Sequence, residues 1–173
     1  ADAPVEKLNA QIDAINIGDA RKREHWLGPV VNAAAYANYA RFVLDLEAAG
    51  AKVLRGGKQL READASRGYY VQPVLAEADL SHPLWKQEMF LPIVMLHRYR
   101  DKDEAMRLAN DTDMGLTAGF YGGADEVPWF QDHIEAGVTY ANRPQGATTG
   151  AWPGYQPFGG WKGSGSTGKA IAS

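Results

Sequence analysis

Two stretches of this chain combine residue types that could hold a small reactive molecule in place. The first is Trp85-Lys-Gln-Glu88-Met-Phe90-Leu-Pro92, with a carboxylate and an aromatic ring two residues apart, just before an apolar run. In extended structure side chains alternate, so Glu88 and Phe90 would face the same way. A carboxylate so placed can accept hydrogen bonds from sugar hydroxyls while the ring lies against a planar group. A polar strand entry with one anchoring Phe is the plainer reading of the same residues. The second is Thr149-Gly-Ala-Trp-Pro-Gly-Tyr-Gln-Pro-Phe-Gly-Gly160, which holds five glycines or alanines, two prolines and three aromatics with no helical or strand period. Consecutive small residues let backbone N–H groups approach an anion without a Cβ in the way. An ordinary surface loop has a similar composition.

Other motifs carry less. Gly163-Ser-Gly-Ser-Thr-Gly168 matches the dinucleotide pattern G-x-G-x-x-G and, with Lys169, comes close to a phosphate loop. Both motifs work only between a strand and a helix, and here no strand immediately precedes and Ala170 stands where Ser or Thr is needed. A Gly/Ser segment is the better description. His25, His82, His97 and His133 are scattered, without the spacing or carboxylate partners of a metal site. Each reads as a core or surface histidine. The chain has no cysteine, which excludes a disulfide, a thiolate metal site and a cysteine nucleophile within these residues.

The elements that would position these groups follow from capping and periodicity. Asn32 can cap a helix running to about Ala49, with Tyr39, Val43, Leu46 and Ala49 on one face and Gly50 as its stop. Ala51 to Leu54 reads as a strand ended by Gly56-Gly57, and a polar stretch to Arg67 as loop. Gly68 to Val74 reads as another strand, with Pro73 marking an edge or an end. Ile93 to Tyr99 is a strand candidate. Asp101 with Glu104 forms a capping pair ahead of Ala105, Leu108 and Ala109. Gly115 to Tyr121 is a further strand. Asp125 opens a helix with Pro128 in its first turn and Val127, Phe130 and Ile134 on one face, stopped by Gly137. Val138 to Ala141 is the next strand. Strands alternating with helices predict an α/β fold with a mainly parallel, helix-covered sheet.

Bulk properties agree with a folded domain. The 173 residues are 45% apolar and 23% charged, ordinary values for a globular protein with a real core. A net charge of -3 and the lack of a Lys/Arg run argue against a nucleic-acid footprint. The apolar run Ile93 to Leu96 is far too short to span a bilayer. The Ala-Asp-Ala-Pro start carries no basic and apolar leader pattern, so a cytoplasmic location is expected.

Five ordered motifs also resemble those of the aldehyde dehydrogenase superfamily. Gln87 to Pro92 resembles its E-x-F-G-P segment, with Leu91 where the family usually has Gly. Leu108 to Thr117 is similar to its L-A-N-x-T-x-Y-G-L-(T/S) segment, and Ala136-Gly-Val138 with Asn142 to its A-G-x-x-x-x-N. Pro157-Phe-Gly-Gly160 with Lys162 and Ser164-Gly165 resembles P-F-G-G-x-K-x-S-G, while Gly18-Asp19, Leu27-Gly28-Pro29 and Gly50 to Gly57 fit upstream. The Thr149–Gly160 run is similar to a loop of the L-glutamate γ-semialdehyde (1-pyrroline-5-carboxylate) dehydrogenases. Pro144 to Ala147 looks inserted ahead of it, and Trp152 and Pro153 are bulkier than that loop usually carries.

The resemblance implies an NAD- or NADP-dependent oxidation of an aldehyde. In that family a cysteine thiolate attacks the aldehyde, hydride passes to nicotinamide, and glutamate-assisted water hydrolyses the thioester. Residues 1–173 correspond to the C-terminal segment of the catalytic domain, with the cofactor domain and the nucleophile strand outside it. Glu88 would bind the nicotinamide ribose and Phe90 would pack beside the nicotinamide. Amides of Gly150 and Ala151 would hold the substrate α-carboxylate, and Phe158 would line the substrate tunnel. The implied partners are a small aldehyde and further copies of the chain in a homo-oligomer, with no nucleic acid and no membrane. Two alternatives stay open: a non-catalytic binding or oligomerisation remnant, and an enzyme of this family acting on another aldehyde.

Overall fold

In the computed structural model, which describes residues 3–61, 67–143 and 159–165, the chain divides into two units, 1–98 and 99–173. The first is organised by helix α2 (Ala33–Ala48), whose Tyr39, Phe42, Val43 and Leu46 recur at helical spacing and are buried. Asn32 caps it as the sequence predicts, its Oδ1 accepting from the Ala35 N–H at 2.8 Å. At the other end Gly50 takes φ 85, while the Ala51 and Gly50 amides donate to the Leu46 and Glu47 carbonyls. This arrangement closes the last turn and turns the chain into strand β1 (Lys52–Arg55).

A three-stranded sheet follows in the order β1-β4-β5, with β4 (Val74–Glu77) antiparallel to β1 and parallel to β5 (Ile93–Leu96). Val74, Leu75 and Ala76 are fully buried, as expected of a central strand covered on both faces. Strands β2 (Gln59–Leu60) and β3 (Tyr70–Val71) form a separate antiparallel pair. Tyr39 ties these pieces together: its hydroxyl donates to the Gln72 carbonyl at 2.6 Å and accepts from the Gly57 N–H at 3.1 Å. Burial pushes this phenol up to about 12, so it stays a neutral donor. The expected strand Gly68–Val74 is therefore two strands, because Gln72 spends its carbonyl on Tyr39 and Pro73 has no N–H to give a ladder. Strand β5 stops at Leu96 rather than Tyr99, and the His97 ring meets the Ala78 carbonyl at 3.0 Å. Helix α1 (Ala3–Asp13), not foreseen from sequence, has no buried residue and reaches β1 through an Asp13–Arg55 ion pair at 3.3 Å.

The second unit contains α3 (Lys102–Asn110), β6 (Met114–Gly115), β7 (Thr117–Phe120), α4 (Val127–His133), β8 (Val138–Ala141) and β9 (Trp161–Lys162). Asp101 caps α3 by accepting from the Glu104 N–H at 2.8 Å, and the Glu104 carboxylate reaches back to the Arg100 amide at 3.1 Å. Strands β7 and β8 are parallel with α4 between them in sequence, and β6 pairs antiparallel with β9. The expected strand Gly115–Tyr121 is broken at Leu116, since Gly115 pairs with Trp161 while Thr117 pairs with Val138. A 3-10 turn, Ala124–Glu126, precedes α4, and the helix ends at His133 with Ile134 already extended. Gly137 is thus not the helix stop: a Cβ there would lie 1.8 Å from the Gly159 carbonyl oxygen, so the residue is needed for close backbone approach. The fold is α/β as expected, with small sheets that are partly antiparallel.

Candidate active site

The Glu88–Phe90 pair is presented by its neighbours. A 3-10 turn at Pro83–Lys86 begins at buried His82, whose Nδ1 accepts from the Leu84 N–H at 3.2 Å. Trp85 donates its indole N–H to the Asp79 carbonyl at 2.9 Å, fixing where the following residues start. Met89 and Leu91 then pack against the core formed by α2 and the three-stranded sheet. Glu88 and Phe90, the residues before and between those anchors, are left exposed. Phe90 is 87% exposed and sits at φ 53, a conformation that is costly for a bulky side chain. The segment is therefore not an extended strand at Phe90, and the alternation of buried and exposed residues, not strand geometry, puts both groups outside. Glu88 makes no hydrogen bond or ion pair among the described residues. Leu91, where the family usually has Gly, lies outside the left-handed region and serves as an anchor.

In the second unit the remaining motif residues form a knot. The Asn110 side chain donates to the His133 carbonyl at 2.8 Å and accepts from the Glu135 N–H at 2.9 Å, joining the ends of α3 and α4. Lys162 donates to the Asn110 carbonyl at the C-terminus of α3 and pairs with Glu135 at 2.5 Å. A cation at that helix end also meets the negative pole of the helix dipole. Ser164 Oγ accepts from the Gly115 N–H at 2.9 Å, and the Gly160 N–H donates to the Gly165 carbonyl at 2.6 Å. These contacts fix the chain at the point where Gly159 and Gly160 enter the described fold. The motifs contain Asn110, Lys162 and Ser164 without giving them a role, and the sequence signal for Lys162 and Ser164 is their place among Gly159, Gly160, Gly163 and Gly165.

At the exit of β8 the chain is held again. Asn142 adopts φ 50, and its side-chain amide bonds both the N–H and the carbonyl of Gly122, each at 3.0 Å. Tyr121 donates its hydroxyl to the Arg143 carbonyl at 2.9 Å. Gly150, Ala151 and Phe158, the expected substrate contacts, lie outside the described residues, as do Trp152 and Pro153. Among the described residues the structure brings together Glu88 and Phe90 in one loop, and no other predicted site residue is described.

Each of the four histidines contacts the backbone. His25 contacts the Asp19 carbonyl at 3.1 Å, beside an Asp19 carboxylate that the Arg21 guanidinium holds well below the usual carboxylate range. His133 is exposed, and its Nδ1 lies 2.8 Å from the Trp129 carbonyl. No group of His, Asp or Glu among the described residues is arranged to hold a metal ion. None of the described helices is long and apolar enough to cross a membrane. An apolar cleft of about 310 Å³ lies among α3, β7 and α4, with Lys102 at its edge placed 4.8 Å from the centre of the Trp129 ring.

Comparison with known proteins agrees with these motifs. The sequence profile of the aldehyde dehydrogenase family matches residues 1–172. The chain is 33% identical over 171 residues to the 1-pyrroline-5-carboxylate dehydrogenase of Bacillus subtilis (strain 168), covering 98% of this chain and 32% of that protein. Among solved structures, PnpE from Pseudomonas sp. WBC-3 aligns with a TM-score of 0.85 at 29% identity, over 95% of this chain and 33% of that one. HpcC from Thermus thermophilus aligns with a TM-score of 0.83 at 29% identity, over 94% of this chain and 32% of that one. The chain spans about a third of the length of the relatives it matches. With its motif residues in ordered structural roles and the family profile matched almost end to end, the chain belongs to the aldehyde dehydrogenase family.

Proposed function

We propose that this chain is a segment of the catalytic domain of an enzyme that oxidises an aldehyde to a carboxylate with NAD or NADP. The substrate that its residues fit best is L-glutamate γ-semialdehyde, giving glutamate in proline catabolism. The observation that carries the reading is the presentation of Glu88 and Phe90, one an exposed carboxylate without a partner among the described residues and the other an exposed ring held in a strained backbone. A surface with no binding task gains nothing from either feature.

The chemistry that NAD or NADP supplies when bound is acceptance of a hydride. This chain's part would be to hold that group: the Glu88 carboxylate would accept hydrogen bonds from the nicotinamide ribose, and the Phe90 ring would pack beside the nicotinamide. Charge-assisted hydrogen bonds of this kind are stronger and more directional than neutral ones. The amides of Gly150 and Ala151 hold the substrate α-carboxylate, and Phe158 lines its path. The net reaction consumes one aldehyde, one NAD+ and one water and yields one carboxylate, one NADH and two protons. The thiolate that attacks the aldehyde is supplied from outside these 173 residues, which contain no cysteine. The similarity to the Bacillus subtilis 1-pyrroline-5-carboxylate dehydrogenase supports the choice of substrate.

The test compares kcat/KM for glutamate semialdehyde and a neutral aldehyde of equal chain length, using the full-length enzyme that carries this segment. Leaving buried donors unpaired costs on the order of 2–3 kcal/mol of transition-state binding, so the neutral aldehyde should react roughly 30- to 150-fold less efficiently. Equal efficiencies would show that no carboxylate anchor operates and would leave another aldehyde as the substrate.

A further inference from the structure

His82 is the only polar or charged residue buried among those described, and it caps the turn that leads to Glu88 and Phe90. A backbone N–H can only donate, so the Leu84 amide at 3.2 Å makes Nδ1 an acceptor and leaves the ring proton on Nε2. That Nε2 is itself buried, and no acceptor meets it among the described residues. A buried donor without a partner is costly, so a side chain that merely filled this space would be better apolar. The ring is therefore explained by what its Nδ1 does. Pro83 has no N–H, which makes the Leu84 amide the first donor of the 3-10 turn, and a first-turn amide has no partner inside the turn. His82 supplies that partner. Its carbonyl also accepts from the Trp85 N–H at 3.3 Å, and its own N–H donates to the Asp79 carbonyl at 3.0 Å.

We propose that His82 is a positioning residue: by holding the Leu84 N–H it sets the turn from which Glu88 and Phe90 are presented to the cofactor. This rests on the reading that those two side chains contact the nicotinamide ribose and ring. The geometry leaves little slack between turn and loop. The Leu84 carbonyl accepts from the Gln87 N–H at 3.2 Å, so the last bond of the turn ends one residue before Glu88. Beyond the loop, the Pro92 carbonyl accepts from the Val74 N–H at 2.8 Å, where the chain enters β5. Residues 88–91 thus run between two fixed points, with Met89 and Leu91 against the core. No side-chain bond among the described residues holds Glu88 independently, so its place follows the backbone that the turn delivers. Phe90, fully turned outward, depends on the same backbone.

The experiment measures binding to the full-length enzyme of NADH and of ADP, the half of the cofactor that neither Glu88 nor Phe90 would contact (the corresponding NADPH pair where the enzyme prefers NADP). Dissociation constants are read from the fluorescence of the reduced cofactor and from its displacement by ADP. His82→Ala removes the acceptor, whereas His82→Asn restores one, because an asparagine Oδ1 bonds the amide two residues on. His82→Ala is expected to weaken NADH about five- to tenfold and leave ADP unchanged, with His82→Asn close to the parent. In a Glu88→Ala, Phe90→Gly background His82→Ala should make no further difference to NADH, since the positioned groups are gone. Equal weakening of both ligands, unchanged NADH affinity, or an Asn variant as weak as the Ala variant overturns the proposal. If His82→Ala does not fold, His82→Leu replaces it, filling the space without an acceptor, and failure of both makes the ring a core residue and sinks the proposal as well. Should the Glu88→Ala, Phe90→Gly enzyme bind NADH as tightly as the parent, the reading of those two residues falls and this inference with it.

Discussion

Three non-glycine residues among those described occupy the left-handed region, Phe90 at φ 53, Asn142 at φ 50 and Lys162 at φ 54. All three fall inside family motifs, and each is held there by neighbours. Met89 and Leu91 pin the chain around Phe90, the Gly122 clamp holds Asn142, and the contacts to Asn110 and Glu135 hold Lys162. Left-handed backbone costs a non-glycine residue about 1–2 kcal/mol, so it persists only where surrounding structure enforces it. For Phe90 this yields a prediction with opposite signs for folding and binding. Its ring buries little, so Phe90→Gly removes the strain and loses almost no packing. The extra entropy of glycine in the unfolded chain returns part of that gain. Urea unfolding of Phe90→Gly should therefore show stability unchanged or raised by up to about 1 kcal/mol. The KM for NAD or NADP should rise several-fold for want of the ring. A loss of stability beyond about 1 kcal/mol would mean that Phe90 serves the core, and the binding argument would fail.

At the scale of elements, two glycines separate close approach from open space. A Cβ at Gly137 would lie 1.8 Å from the Gly159 carbonyl oxygen and 2.7 Å from the Gly160 Cα, both backbone atoms that cannot rotate away. Gly137→Ala should force the Gly159–Gly160 entry off β8 and cost about 1–3 kcal/mol in chemical denaturation. At Gly119 the nearest atom to an added Cβ is 3.9 Å distant, on the Tyr121 ring, so Gly119→Ala should lie within about 1 kcal/mol of the parent. Equal effects at the two positions would show that the contact with Gly159 is not tight in solution. The contrast also marks what a sequence can disclose. Caps at Asn32 and Asp101, the Gly50 stop and the interruption at Pro73 are local chemistry, and each was legible from neighbouring residues. The role of Gly137 was not, because the group it admits is 22 residues away in the chain. Lys162 meets Asn110 across 52 residues, so no periodicity signals that contact. For the site, residue types pointed to Glu88 and Phe90, whereas their exposure comes from Met89 and Leu91 packing on a core built by α2 and β4.

For the molecule as a whole, the decisive quantity is the absence of cysteine from all 173 residues. The proposed reaction needs a nucleophile that forms a bond to the aldehyde carbon and later leaves, and a thiolate does this because it is strongly nucleophilic near neutral pH. Serine or threonine hydroxyls could substitute only with an adjacent base. Among the described residues Ser164 has its Oγ engaged by the Gly115 N–H, and Thr112 has its Oγ1 engaged by the Met114 N–H. Each of the four histidines has its Nδ1 in a hydrogen bond with the backbone, a carbonyl for His25, His97 and His133 and the Leu84 N–H for His82. Binding groups without a nucleophile can hold a substrate but cannot turn it over. The isolated 173-residue chain, incubated with NAD or NADP and glutamate semialdehyde, should therefore form no NADH or NADPH above the protein-free rate when followed by the absorbance of the reduced cofactor, against the roughly 10⁶-fold or greater acceleration typical of enzymes. Adding a polypeptide that carries the family's thiol-bearing segment should restore turnover only if the two assemble, and alkylating that thiol should abolish it. Turnover by the cysteine-free chain alone would place a nucleophile within these residues, and would overturn the division of labour in which this chain binds and its complement reacts.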